Sequence, residues 1–199
     1  MSASPKFARV VFQPAQPQEM RDWYCTVLDG HVVYQDDALS FITFDEEHHR
    51  VALIHPPVPL QRKTPDTVAM HHVAYTFDSI DDLLARYVLL RDQGVLPAVC
   101  IAHGVTTSMY YRDPDGNMVE MQIDRFEEPN DATAYMKGPE YAADSVGPSV
   151  GPSVGPSFDP EALLEARRDG ATVEELSDRA WALESDLPDP MPILMGGGH

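Results

Sequence analysis

The chain has 199 residues, of which 43% are hydrophobic and 23% charged, so it can bury a core and wholesale disorder is excluded. Its 14 basic and 32 acidic side chains give a net charge of −18, and a surface that acidic repels nucleic acid and anionic membranes. No apolar run reaches the roughly 20 residues of a membrane span and no apolar leader opens the chain. The two cysteines, Cys25 and Cys100, form no metal or redox spacing, so a reducing, cytoplasmic setting is expected.

In chain order, Arg9-Val10-Val11-Phe12 reads as a strand. An amphipathic helix follows over 17–28, with Met20, Trp23, Tyr24, Val27 and Leu28 on one face. Short strands are predicted near 31–35, 39–44 and 49–54, and the proline-rich stretch 55–66 is a connector. The pattern then repeats. His72-Val73-Ala74-Tyr75 lies 63 residues after Arg9-Val10-Val11-Phe12, and the same offset sets Leu83 on Met20 and Tyr87 on Tyr24. The second helix is predicted over 79–92, opened by Ser79 with Asp82 three residues on. Strands are predicted near 98–102, 107–112 and 117–123. The order is βαβββ twice, an α+β fold in which two paired modules (about 6–54 and 68–124, within a domain 1–126) form a curved mixed sheet around a cleft.

The remainder differs in composition. Residues 1–124 hold 9 basic and 17 acidic groups, and residues 125–199 hold 5 and 15. Ser-Val-Gly-Pro occurs three times in tandem from Ser145 to Pro156, and proline and glycine at that density break helices and central strands. Residues 127–157 are therefore read as a linker, and 158–199 as a flexible acidic tail. Asp159-Pro160-Glu161 opens a helix there. Leu163, Leu164, Val173, Leu176, Trp181 and Leu183 are available to dock it, and Pro188–His199 is expected to fray.

Single residues say less. Each of His48, His49, His71, His72 and His103, taken alone, reads as an ordinary exposed or satisfied histidine, although neutral imidazole binds divalent metals and shuttles protons. In Asn117-Met118-Val119-Glu120-Met121-Gln122-Ile123 the alternation sets Glu120 opposite Val119, Met121 and Ile123, which alone reads as a solvent-facing glutamate. Asp113-Pro114-Asp115-Gly116-Asn117 is a tight turn.

The joint spacing is more specific. The run from Ile101-Ala102-His103 through Met109-Tyr110 and Asp113-Pro114-Asp115-Gly116 to Glu120 resembles the signature of the type I extradiol ring-cleaving dioxygenases. These are members of the vicinal oxygen chelate superfamily, with glyoxalase and the bleomycin-resistance proteins. The stretch from Phe41 to Leu53, containing His48-His49, is similar to the segment that carries that family's acid–base histidine. The resemblance covers about 6–124 and is nearest to single-domain members. The Phe158-Asp159-Pro160-Glu161 start of the tail helix is similar to theirs as well; the Ser-Val-Gly-Pro repeats are not.

The resemblance implies a doubled βαβββ fold and an oxidoreductase that opens a catechol-type ring with O2, on a small aromatic substrate. It implies Fe(II), or Mn(II) in some members, held by two histidines and a glutamate that leave coordination positions open. His72 matches the second histidine and Glu120 the glutamate. His49 matches the acid–base histidine, and His103 and Tyr110 match the groups that hydrogen-bond the ring oxygens. At the first ligand the family has histidine where this chain reads Phe7-Ala8-Arg9-Val10-Val11. A guanidinium offers donors only and cannot ligate a metal. Two arrangements follow: a metal on His72 and Glu120 with water or a substitute ligand, or no metal, with Arg9 paired to Glu120 in its place. Two further functions compete on that account, a metal-free enzyme of the superfamily using Arg9 on an oxyanion and a non-catalytic binder of an aromatic small molecule. A homo-oligomer is compatible with all of these.

Overall fold

The computed structural model describes residues 4–61, 64, 67–139, 141, 154–185 and 187–195. The chain forms two compact units: residues 1–69 with the turn Asp113–Asn117, and residues 70–112 with 118–199. Most of the Ser-Val-Gly-Pro repeats lie outside the described residues.

The first unit holds β1 (Val10–Phe12), α1 (Pro17–Leu28), β2 (His31–Gln35), β3 (Leu39–Thr43) and β4 (Val51–Ile54), in sheet order β1-β4-β3-β2. β1 runs parallel to β4, and β3 is antiparallel to both of its neighbours. The period of 3.6 expected for α1 is realised: Met20, Tyr24 and Val27 are fully buried, and Phe12 of β1 stacks on Tyr24. α1 stops at Asp29, whose left-handed φ of 56° lets its N–H and that of Gly30 return to the helix's last carbonyls. A side chain at position 30 would meet the Thr43 carbonyl at 2.8 Å, so glycine is what lets β2 start against β3.

The second unit repeats the design with β5 (His72–Thr76), α2 (Ile80–Asp92), β6 (Val99–Ala102), β7 (Thr106–Arg112) and β8 (Met118–Asp124), in sheet order β5-β8-β7-β6. Again the first strand is parallel to the last and the others are antiparallel. Ser79 caps α2 by accepting from the Asp82 N–H. Ile80, Leu83, Leu84, Tyr87 and Leu90 are buried.

The tail is where the structure departs from expectation. The span read as linker contains a helix, α3 (Pro129–Lys137), and its end is docked. The Ala102 N–H donates to the Pro156 carbonyl and the Phe158 N–H to the Cys100 carbonyl, so residues 156–158 line the open edge of β6. Gly155, from the third repeat, has a φ of +84°, and a Cβ there would fall 2.1 Å from the Ala102 carbonyl oxygen. The glycine that argued for a linker is what permits the approach.

Beyond it lie α4 (Pro160–Arg168), α5 (Val173–Leu176), α6 (Arg179–Leu183) and α7 (Met191–Leu194). α4 begins as its sequence predicts, with Asp159 accepting from the Glu161 N–H. Glu161 accepts from Tyr87 and Arg91 of α2, and Arg167 pairs with Asp81. Of the six residues expected to dock the tail, Leu163, Leu164 and Leu176 are buried, whereas Val173 and Leu183 stay exposed. Residues 191–194, expected to fray, form a helix packed on the sheet, with Ile193 and Leu194 against Val99, Ile101, Tyr110 and Met118. Among the described residues no helix is long and apolar enough to cross a membrane.

The tail's contribution is measurable. Phe158 is buried beside Trp181 and on the edge of β6, so Phe158→Ala should cost about 3 kcal/mol by the usual penalty for deleting a core aromatic. The denaturation midpoint should fall in one cooperative transition. An unchanged midpoint would mean that the tail contributes nothing to the second unit.

Candidate active site

The polar centre of the second unit follows from register. Ala74 of β5 and Tyr110 of β7 both oppose Glu120 of β8, so the even-numbered residues of the three strands share one face. That face presents His72, Tyr110 and Glu120; α2 packs against β8 on the other side, where Val119 and Met121 are buried. Glu120 is only 4% exposed. The solvent-facing reading of its alternation is thus overturned, because β8 is a central strand covered on both faces.

A carboxylate buried there needs donors. His72 Nε2 lies 3.1 Å from Glu120 Oε2. The Tyr110 hydroxyl donates to Glu120 Oε1 at 2.8 Å and, its own proton committed, accepts from His103 Nε2 at 2.9 Å. Burial works against ionisation of Glu120, but its close contacts with His72, Ser108 and Tyr110 outweigh it and hold the carboxyl below the ordinary glutamate range. Tyr110 moves the other way: burial, then the Glu120 charge, push its hydroxyl well above the usual tyrosine range. It therefore keeps its proton at any physiological pH and acts as a donor. The structure thus brings together His72, His103, Tyr110 and Glu120.

Arg9 and His49 belong to the first unit. The parallel register Val10↔Val51 sets position 9 alongside Arg50, next to His49. Arg9 is exposed. Arg50 pairs with Asp45 and donates to the Phe7 and Ala8 carbonyls, fixing the chain that leads into β1. His49 is buried, stacked face to face on Phe41 with ring centroids 4.1 Å apart, and its Nδ1 is 2.6 Å from His48 Nδ1. Burial, then the charges of Arg9 and His48, lower the pKa of His49 below the ordinary histidine value, which makes it a neutral base at pH 7. Two contacts lay outside the reading of single residues: Ser108 beside Glu120, and His71, whose Nδ1 is 2.7 Å from His72 Nδ1. The His71-His72 doublet was the available signal for the second.

With this geometry the comparisons with known proteins can be placed. The profile of the Glyoxalase/Bleomycin resistance protein/Dioxygenase superfamily matches residues 6–121. The chain belongs to this superfamily. It is 55% identical to biphenyl-2,3-diol 1,2-dioxygenase 2 of Rhodococcus globerulus and 50% identical to biphenyl-2,3-diol 1,2-dioxygenase 3 of the same organism, in both cases across 98% of this chain and 99% of the relative. A glyoxylase/bleomycin resistance protein/dioxygenase domain from Frankia sp. EAN1pec shares the fold, with a TM-score of 0.52 at 16% identity over 63% of this chain and 96% of that one. The two curated dioxygenases extend the likeness through the tail, beyond the superfamily match.

Such relatives imply a metal cofactor, and the donor set can be tested against one. Two ligands at right angles, each about 2.1 Å from a metal, are about 3 Å apart, and the His72–Glu120 separation is 3.1 Å. The pair fits two neighbouring positions of a divalent ion. Among the described residues no group of three His, Cys, Asp and Glu side chains is placed to hold a metal ion.

Removing the Arg9 cation should raise the pH at which His49 titrates. Ring-proton NMR of Arg9→Met against the parent protein reads this directly. An unchanged titration would remove Arg9 from the environment of His49.

Proposed function

We propose that the protein is an extradiol ring-cleaving dioxygenase: it opens a catechol-type ring with O2, breaking the carbon–carbon bond beside the two hydroxyl-bearing carbons and placing both oxygen atoms in the product. The observation that carries this is the His72–Glu120–Tyr110–His103 network around a buried carboxylate, set in a chain of this superfamily that matches two biphenyl-2,3-diol 1,2-dioxygenases end to end. Cleavage of a 1,2 bond beside a 2,3-diol lies outside the diol. A small aromatic vicinal diol is the substrate class, and O2 the co-substrate. Two unpaired cysteines suit a reducing cytoplasm.

His72 and Glu120 would hold the metal, Fe(II) or Mn(II). When bound, it supplies a chelation point for both diol oxygens and a route for electrons to O2. The protein's own groups do the rest. Neutral His49 accepts a proton from the diol and returns it to the ring-opened product. Tyr110, held protonated, would turn its hydroxyl proton from Glu120 Oε1 to the ring oxygen on which negative charge develops. His103 fixes that hydroxyl through Nε2. Deleting the imidazole in His49→Ala should lower kcat by roughly 10²–10⁴ and leave metal content unchanged.

Position 9 carries the second reading. The family pattern has a ligand there, and a guanidinium cannot be one. Arg9→His should therefore raise Fe(II) affinity, read by anaerobic metal titration, and increase the yellow ring-fission product formed from catechols and O2. If the parent protein already holds a full equivalent of iron and Arg9→His changes nothing, position 9 is not a ligand position. If Arg9→His gains iron but loses a native activity, the metal-free enzyme is the better account.

A further inference from the structure

We infer that His71 and the C-terminal helix α7 set the tautomer of His72 and so make it a metal ligand. This rests on the reading of His72 and Glu120 as ligands. The inference follows from which atoms can donate. His71 Nε2 lies 3.0 Å from the carbonyl oxygen of Leu194, an acceptor only, so the hydrogen sits on His71 Nε2. A neutral ring then has a bare Nδ1. That Nδ1 is 2.7 Å from His72 Nδ1, which must therefore carry the hydrogen of its own ring. In that arrangement His72 Nε2, 3.1 Å from Glu120 Oε2, carries no hydrogen and presents its lone pair to a cation bound between them. The opposite neutral arrangement puts hydrogen on His72 Nε2 and on His71 Nδ1, and leaves His71 Nε2 and the Leu194 oxygen facing each other with none between them.

Thus the contact at one end of the chain of rings selects the state at the other. Two acceptors at hydrogen-bond distance repel unless a cation lies between them. Metal-bound histidines characteristically donate their second ring N–H to such a partner, which orients the ring and raises its basicity.

α7 is built to keep that carbonyl in place. The last carbonyls of a helix have no partner within it, and here two of them are used. Arg112 Nη2 donates to the Ile193 carbonyl at 2.8 Å, while His71 takes that of Leu194. The side chains of Ile193 and Leu194 pack against Val99, Ile101, Tyr110 and Met118 on the face that carries the site. A four-residue helix near the end of the chain is thereby fixed at three points to the sheet holding Glu120.

The test reads metal affinity, not turnover. Co(II) is titrated into the metal-free full-length protein and followed by its visible absorption and by calorimetry. His71→Ala should weaken binding roughly tenfold to a hundredfold, the usual effect of removing such a partner, with the unfolding midpoint of the metal-free protein unchanged. His71→Asn, whose amide oxygen accepts in place of Nδ1, should recover most of the loss. A chain ending at Asp189 should also bind more weakly, and should add nothing further when combined with His71→Ala. If His71→Ala binds Co(II) as the parent does while His72→Ala does not bind it, the inference is overturned and the proposed function stands. If His72→Ala binds unchanged, the ligand assignment itself fails and this inference falls with it.

Discussion

The second unit is organised around one costly requirement, an ionised carboxylate inside a sheet. Glu120 is 4% exposed, and a charge so placed must be met by donors or neutralised. Each partner comes from a neighbouring strand by register: Tyr110 directly opposite in β7, and His72 two residues before the β5 residue opposite it. A one-residue slip of either strand would turn its partner to the other face. The βαβββ topology, with its first strand parallel to its last, is what places β5 and β7 on either side of β8 at once. His103 then adds orientation at one remove, through the hydroxyl it holds.

This explains which parts of the molecule were legible in its sequence. The helices and strands of both modules were, because period 3.6 and period 2 report burial locally, and the offset of 63 residues between modules announced two copies of one design. Alternation alone misleads at Glu120 for the same reason. Alternation separates the two faces of a strand but does not say whether the second face is wet. His72, His103 and Tyr110 were legible only through their joint spacing and the family it resembles, since each alone is an ordinary residue. In the tail, proline and glycine counted against regular structure, and the reasoning was sound for a free chain. It could not foresee that the open edge of β6 would supply the missing hydrogen bonds, or that Gly155 would be required for the approach. Leu194 leaves no trace in sequence at all, because its part is played by a backbone carbonyl.

Arg9 shows how a departure from a family pattern can be informative in its own module. By the internal repeat it is the counterpart of His72, each leading the first strand of its βαβββ unit. In the second unit that position carries a donor atom that faces a carboxylate. In the first it carries an exposed cation in the electrostatic environment of His49, where burial already disfavours the charged ring and Arg9 and His48 disfavour it further. A base kept neutral is ready to take a proton, but its conjugate acid is correspondingly stronger and gives the proton up readily. In the proposed function this cation tunes the proton shuttle, His49. In the proposed function His72 and Glu120 are the ligands the second unit supplies, so an interaction that fixes His72 in its ligating tautomer acts on half of that pair. The tie from α7 through His71 acts on that same ring. Within the second unit, the helix near the end of the chain and the carboxylate inside the sheet therefore bear on the same ring, His72, from its two opposite nitrogens.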